Sequence, residues 1–336
     1  MSIVFTGGGT GGHLTIIAAV KEHIDNRDLI YIGSVSGQDR AWFEEDDDFK
    51  QRYFLNTQTV VNRGVLGKIK SLSVILKEAF KIRKILKSVD AKVVFSVGGY
   101  SAAPASIAAK MLNIPLVIHE QNSHIGNLNR VFKPLSHRFI WAFDKEDSLR
   151  IYPVKEIFFN NYRVRGRVKS ILISGGSQGS VALNNFALSI AKELDSKGIK
   201  IYHQAGEKNL EKVKDEYEKL GVDAEVFGFT KEMPEIMKKA DFAIARAGAS
   251  TLWEMTATGL PALYVPYPYA ANDHQYYNAK FLAEQNLAWL KRENELEEEL
   301  IFDIIDSDLT PISKRLPELI EPNGAKKIAK YLENFN

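Results

Sequence analysis

Ser170-Ile-Leu-Ile-Ser-Gly-Gly-Ser-Gln-Gly179 decides the fold. A short apolar strand runs straight into a glycine loop, and helical spacing begins near Ala182. The chain opens with the same order: Ile3-Val-Phe-Thr6, then Gly7-Gly-Gly-Thr-Gly-Gly12-His13, then a helix to about His23. Strand, glycine turn and helix in that order start a Rossmann-like unit, because glycine permits the tight turn and the helix start offers N–H groups to a ligand. Working outward, short apolar strands recur at 29–33, 93–97, 116–119 and 139–142, and again at 200–204, 224–227, 242–245 and 262–265. Such runs alternating with helical segments predict parallel strands buried on both faces. The expected fold class is α/β: two Rossmann-like, doubly wound parallel-sheet halves facing across a cleft, with ligands at the C-terminal ends of the strands. Residues 44–48 read as an acidic loop, 68–87 as a helix with Ile69, Leu72, Leu76 and Phe80 in register, and 325–332 as the last helix. Between 160 and 169 the periodicity fades and the chain turns basic, which places the linker there. The expected domains are 1–161 with the C-terminal helix 322–336, and 165–318.

Composition narrows the function. A formal net charge of +2 names no polyanionic partner, and nucleic acid is not expected as one. The absence of cysteine excludes disulfides and Cys-based zinc sites and fits a reducing compartment. The first residues enter a strand at once, without the basic start and apolar core of a signal peptide. No apolar run reaches the roughly 18–20 residues needed to span a bilayer. A soluble, cytoplasmic protein is expected.

Chemistry concentrates after strands. Ala243-Ile-Ala-Arg-Ala-Gly-Ala-Ser-Thr-Leu-Trp-Glu254 passes from strand to helix near Ala249, an anion site beside Arg246 with Glu254 further into the helix. The following Tyr267-Pro-Tyr-Ala-Ala-Asn-Asp-His-Gln275 adds hydroxyls, amides and an imidazole, completing a nucleotide-sugar cradle. Gly7, Gly9 and Gly12 satisfy G-x-G-x-x-G, yet the second strand ends Gly33-Ser-Val-Ser36 with no acid for a ribose. His13 also stands where a P-loop needs lysine. A tight turn alone would explain the glycines. His13 adds a reason for function, since a helix start disfavours its charged form and leaves a general base. Ser96-Val-Gly-Gly-Tyr-Ser101 and His119-Glu-Gln-Asn122 should line the same cleft; a lone His there is usually a core residue, but four adjacent polar residues point to a site. Asp46-Asp-Asp48 contains a D-x-D, but inside an acid-rich loop it reads as solvated surface rather than a metal clamp. Across 64–92, lysines at 68, 70, 77, 81, 84, 87 and 92 interleave with Leu66, Ile69, Val74, Ile75 and Phe80. That pattern suits either an ordinary surface helix or contact with an anionic membrane surface.

Six stretches occur in order: Gly8-Gly-Thr-Gly-Gly-His13, Gly98-Gly-Tyr100, His119-Glu-Gln-Asn122, Gly175-Gly-Ser-Gln-Gly179, Arg246-Ala-Gly-Ala249 and Asp273-His-Gln275. Together, over almost the whole chain, they closely resemble the MurG family of peptidoglycan N-acetylglucosaminyltransferases, which have the GT-B fold. The resemblance implies inverting transfer of N-acetylglucosamine from UDP-GlcNAc to the C4 hydroxyl of the MurNAc of lipid I, giving lipid II and UDP. It also implies a peripheral protein on the cytoplasmic face of the bacterial inner membrane, beside other cell-wall synthesis proteins. No cofactor is required and no metal site is evident; stimulation by divalent ions stays open.

The same resemblance assigns residues. Thr10, His13, Tyr100, His119, Glu120, Asn122 and Asn129 match polar positions around the acceptor, and Thr10, Gly11, Gly12 and Asn122 are also placed against the donor. Phe229 and Thr230 match the uracil-edge segment, Ala249, Ser250 and Thr251 the phosphate turn, Glu254 the ribose acid, and His274 and Gln275 the sugar-reading pair. Ser177 and Asn184 match polar residues of the second glycine loop, Ser177 for the donor and Asn184 on the acceptor side. Three positions depart from the pattern. Ile16 replaces a proline, and the sugar pair, Gln-Gln in some relatives, is His-Gln. The Pro-Val-Arg linker motif reads Arg163-Val-Arg165, so the phosphate arginine is Arg165 by register, or else Arg163. The implied base is His13, with Glu120 the alternative. No carboxylate pair with glycosidase spacing stands out, which argues against hydrolysis. Rival readings are another lipid-directed glycosyltransferase, a nucleotide-sugar-binding protein without turnover, and an NAD oxidoreductase, the last weakened by the missing ribose acid.

Overall fold

The computed structural model describes residues 1–25, 28–56, 65–143, 151–176 and 178–335. The chain divides into two compact units, Met1–Pro153 with Asn323–Asn336, and Val154–Pro322. Each is an α/β unit on one six-stranded sheet.

The first unit holds β1 (Ser2–Thr6), β2 (Asp28–Ser34), β3 (Phe49–Leu55), β4 (Ala91–Ser96), β5 (Leu116–Glu120) and β6 (Arg138–Trp141). Their order is β3-β2-β1-β4-β5-β6, all parallel. Alternation splits β1 between two packed faces. Val4 joins Ile30, Ile32, Val94, Ile118, Ile82 and Leu86 in an aliphatic core. Its neighbour Phe5 meets Phe49 and Phe95 edge to face. Strand order reverses between β1 and β4, so the loops after those two strands open the crevice where ligands of such sheets bind.

The second unit repeats the plan with β7 (Ser170–Ser174), β8 (Lys200–Gln204), β9 (Ala224–Phe227), β10 (Phe242–Ala245), β11 (Ala262–Tyr264) and β12 (Trp289–Leu290). The order β12-β11-β10-β7-β8-β9 is again parallel throughout, with the reversal between β7 and β10. Ile171, Ile173, Ile201, Phe242 and Ile244 of the sheet pack with Leu183, Ile190 and Leu194 of the helix Val181–Ser196.

Several expectations shift. β3 is a strand the sequence reading does not assign, because Lys50, Gln51 and Arg52 interrupt its apolar pattern; it is an edge strand, where polar residues are tolerated. The helix Val65–Ser88 buries Ile75, Ala79, Ile82 and Leu86, whereas Leu72, Leu76 and Phe80, expected on the apolar face, are exposed. The chain passes between units at Pro153, ahead of the basic stretch expected to be the linker. The helix Glu156–Asn160 already packs on the helix Ala249–Thr258 of the second unit. Asn161 then donates to the Pro234 carbonyl at 3.0 Å. The last helix, Gly324–Glu333, returns to the first unit, packs on the helix Gly11–Lys21 and accepts the Asp25 N–H on Glu333 at 2.8 Å. Among the described residues no helix is long and apolar enough to cross a membrane.

Candidate functional site

In the first unit, the loop from Gly7 to Thr10 leaves β1 with positive φ at Gly7, Gly8 and Gly9. A side chain at Gly7 would come within 2.6 Å of the Gly98 carbonyl, so the loops after β1 and β4 touch through backbone alone. Tyr100 lies over Gly9 and donates its hydroxyl to the Ser36 carbonyl at 3.3 Å. Behind the loop sits Asp39, fully buried. Its carboxylate accepts the N–H of Gly9 (2.6 Å), the N–H of Ser34 (2.9 Å) and the Tyr31 hydroxyl (3.0 Å). Burial and the neighbouring carboxylate push the Tyr31 phenol well above its ordinary range, so it stays a neutral donor. Thr10, exposed, leads into the helix, and its hydroxyl lies 2.9 Å from His13 Nδ1. The Gln121 amide lies 3.0 Å from His13 Nε2. With the amide N–H donating, Nε2 is the acceptor and Nδ1–H points to Thr10. Two side chains therefore orient the His13 ring.

After β5 the Glu120 carboxylate accepts three donors at 2.9 Å: the N–H groups of Asn122 and Gly126 and the Asn129 side chain. Asn122 itself is half-buried, its carbonyl accepting the Trp141 indole N–H at 2.7 Å. His119 is fully buried edge-on to Tyr152, at 5.4 Å between ring centres. Burial holds it neutral down to about 3.

In the second unit, β7 leads into the loop at 175–179, with positive φ at Gly176 and Gly179. A Cβ at Gly179 would strike the Ala205 carbonyl, so this loop too is pressed against its neighbour. Asn184 donates to that carbonyl at 3.1 Å and accepts from His203 Nε2 at 3.0 Å. Tyr217 completes the chain at 3.0 Å from His203 Nδ1. Burial keeps His203 neutral down to about 4.

Across the reversal, β10 ends at Arg246-Ala-Gly248, and the helix Ala249–Thr258 begins with no side-chain cap on its first turn. Arg246 binds the carbonyls of Val265 and Pro266 at 3.1 Å each, the Ser180 hydroxyl at 2.6 Å and the Glu293 carboxylate. It braces the loop and leaves the uncapped helix start to a ligand. Glu254, further into the helix, meets no hydrogen-bond donor among the described residues. Burial outweighs the pull of Lys155 and raises its carboxyl to about 7. Phe229 is half-exposed, its N–H held by Glu207 at 2.6 Å, and the Thr230 hydroxyl accepts the Glu232 N–H at 3.0 Å. His274 and Gln275 open the helix His274–Ala283. Among the described residues no group of three or more His, Asp or Glu could hold a metal ion.

A solved structure of MurG from Acinetobacter baumannii superposes with a TM-score of 0.79 at 26% identity, covering 99% of both chains. A relative from Sulfurovum sp. (strain NBC37-1) is 54% identical over 335 residues, covering all of this chain and 99% of its own. Its name is UDP-N-acetylglucosamine--N-acetylmuramyl-(pentapeptide) pyrophosphoryl-undecaprenol N-acetylglucosamine transferase. The chain belongs to the MurG family. A second MurG relative so named, from Wolinella succinogenes, is 49% identical over 334 residues, 99% of both chains. Residues 3–139 match the glycosyltransferase family 28 N-terminal domain and 170–332 its C-terminal domain. The chain is thus a glycosyltransferase with two Rossmann-like units of the GT-B kind.

Set against the MurG pattern, some assigned residues do not reach a site surface. Arg165 is 1% exposed, and its guanidinium spends itself on the carbonyls of Arg163, Met237, Ala240 and Thr258. It ties the ends of two helices and is not placed to bind phosphate. Arg163, the alternative, is engaged in the same way, on the carbonyls of Lys238, Lys239 and Ala240 and on Asp241. His119 is a core histidine and faces no acceptor. Glu120 spends three of its carboxylate's roughly four lone pairs on donors, which makes it the organiser of the loop after β5. Asn129 is buried as one of those donors, and Asn184 is buried under the second glycine loop. Ser177 lies outside the described residues. Thr10, Gly11, Gly12, His13, Tyr100 and Asn122 remain together around the first crevice, and Ala249, Ser250, Thr251, Glu254, His274 and Gln275 around the second. Asp39 was missed, falling beyond the strand end where an acid was sought. Gln121 lies inside the His119–Asn122 stretch but was given no role, since its contact with His13 crosses 108 residues.

Proposed function

We propose that the chain transfers N-acetylglucosamine from UDP-GlcNAc to the C4 hydroxyl of the MurNAc of lipid I, with inversion, giving lipid II and UDP. The relatives' printed name supplies the donor and acceptor classes, and Glu254 is the observation that carries the donor reading. A half-buried carboxylate without a donor, just inside an uncapped helix start, is built to receive hydroxyl protons beside a bound anion. In this reading the second unit takes the donor: diphosphate at Ala249, Ser250 and Thr251, ribose at Glu254, uracil along Phe229 and Thr230, sugar at His274 and Gln275. The first unit takes the acceptor around Thr10, Tyr100 and Asn122.

The acceptor oxygen attacks the anomeric carbon as the bond to the β-phosphate oxygen breaks, and UDP leaves with the electron pair. UDP departs as a stabilised anion, so no acid is required. His13 takes the acceptor proton, which requires the Gln121 amide to yield Nε2 to the incoming hydroxyl. The helix start at Ala249 favours the charge building on the leaving group.

The protein meets lipid I from the cytoplasmic face of the inner membrane. Leu72, Leu76 and Phe80 project from the helix Val65–Ser88 among exposed Lys77, Lys81, Lys84 and Lys87, a face suited to anionic lipid. Incubation with labelled UDP-GlcNAc and a lipid I analogue should yield a β-linked disaccharide. Donor binding without that product would leave only a nucleotide-sugar-binding protein.

A further inference from the structure

Two adjacent residues outside every motif, Arg292 and Glu293, hold the two donor loops of the second unit. They follow β12, whose exit is fixed by the Lys291 N–H donating to the Tyr264 carbonyl at 3.1 Å. That puts them at the C-terminal end of the sheet, beside the loop that leaves β11. Arg292 grips the Asp273 carboxylate with both terminal nitrogens, at 2.6 and 3.4 Å, and stacks over the Tyr276 ring at 4.5 Å. Glu293 receives Arg246, which braces the phosphate turn.

The grip on Asp273 answers a strain. Asn272 (φ 55°, ψ 27°) and Asp273 (φ 52°, ψ 30°) are consecutive left-handed residues without being glycine. Asn and Asp adopt that conformation singly more readily than other side-chain-bearing residues, but two in succession need support from their surroundings. The turn sets what comes next. His274 Nδ1 lies 2.8 Å from the Ala271 carbonyl, so it carries the ring proton and leaves Nε2 an acceptor. Gln275 Oε1 accepts the Tyr267 N–H at 2.9 Å, so its NH₂ is turned outward as a donor. An acceptor and a donor side by side fit the hydroxyl and acetamido groups of a sugar.

We propose that Arg292 and Glu293 are positioning residues that lock the sugar-reading turn and the phosphate turn in one register, with Arg292 setting recognition of the donor sugar and Glu293 that of the diphosphate. This rests on the reading that the second unit binds UDP-GlcNAc. The test is calorimetric titration of the full chain with UDP and with UDP-GlcNAc, the ratio of the two affinities measuring the sugar's contribution. Arg292→Ala and Asp273→Ala should each cut that ratio about tenfold while UDP affinity holds. The charge swap Asp273→Arg with Arg292→Asp should restore part of it, which a merely structural loss would not allow. Glu293→Gln should instead weaken UDP itself by several-fold. Arg292→Lys keeps the charge and loses the two-point grip, so it should remain folded, by thermal melting, with a reduced ratio. A ratio unchanged in Arg292→Lys and Arg292→Ala overturns the proposal while leaving donor binding intact. A wild-type chain that binds neither UDP nor UDP-GlcNAc overturns the donor reading instead.

Discussion

The two glycine loops look alike in sequence and are supported by opposite means. Behind the first stands a buried carboxylate, Asp39, that consumes the Gly9 N–H. Behind the second stands a neutral chain of Tyr217, His203 and Asn184, and across the sheet reversal an arginine, Arg246, braces an uncapped helix start. A buried carboxylate beneath a loop opposes binding of a second anion; a helix start with no side-chain cap, beside an arginine whose charge Glu293 shares, opposes it less. The loop richer in glycine is therefore the one less equipped for diphosphate. Glycine content reports how closely backbones approach, and the charge behind the loop reports what it can hold.

That contrast can be broken at several points. The largest effect belongs to His13→Ala, which should lower turnover by about 10²–10⁴-fold with UDP-GlcNAc binding retained; near-normal rates would remove His13 as the base. Next comes Asp39→Ala, which leaves the N–H groups of Gly9 and Ser34 without their carboxylate, the Tyr31 hydroxyl keeping the Gly7 carbonyl, and should cost about 3 kcal/mol in denaturant unfolding. Asn184→Ala in the second unit should cost about 1–2 kcal/mol, since a neutral network leaves weaker orphans. Equal losses would erase the contrast. Glu254→Ala should weaken UDP-GlcNAc about tenfold or more, as for hydrogen bonds to a charged group. Because its carboxyl is raised to about 7, donor affinity should be highest above that pH and fall below it as the acceptor of the ribose hydroxyls becomes protonated. Glu254→Gln should flatten that profile, and a profile unchanged by the substitution would sink the ribose role. The smallest effect is on stability at mild acid. Burial holds His203 neutral down to about 4, so its contribution is full above the ordinary imidazole value and is lost as pH falls from there toward 4. His203→Gln should make the melting temperature less steep over that window; an identical slope would assign the acid response elsewhere.

Much of this was legible in the sequence because parallel strands buried on both faces leave continuous apolar runs. β1, β7 and β10 announced themselves that way, and the glycine loops after β1 and β7 pointed to the doubly wound plan. β3 and β12 were lost, one to polar residues on a sheet edge, the other to its two-residue length. Motif residues were legible as types but not as roles. Arg165 and His119 sit at the expected positions, yet whether a side chain faces a ligand or a carbonyl depends on contacts far away in sequence, such as Met237 and Thr258 for Arg165. Asp39, Gln121 and Arg292 act through partners that no short pattern joins. The acidic 44–48 stretch shows the same lesson on the surface: Asp46 and Asp48 hold Lys21, closing the end of the helix Gly11–Lys21.

The helix Gly324–Glu333 has a consequence for synthesis. The second unit is continuous in the chain and can close once its own residues have left the ribosome. The first unit begins earlier and closes later, because the surface of its opening helix waits for residues 324–333 to be made. A nascent chain therefore carries an uncovered apolar strip through the whole synthesis of its neighbour, and a messenger cut short ahead of codon 324 would spoil the half that was translated first.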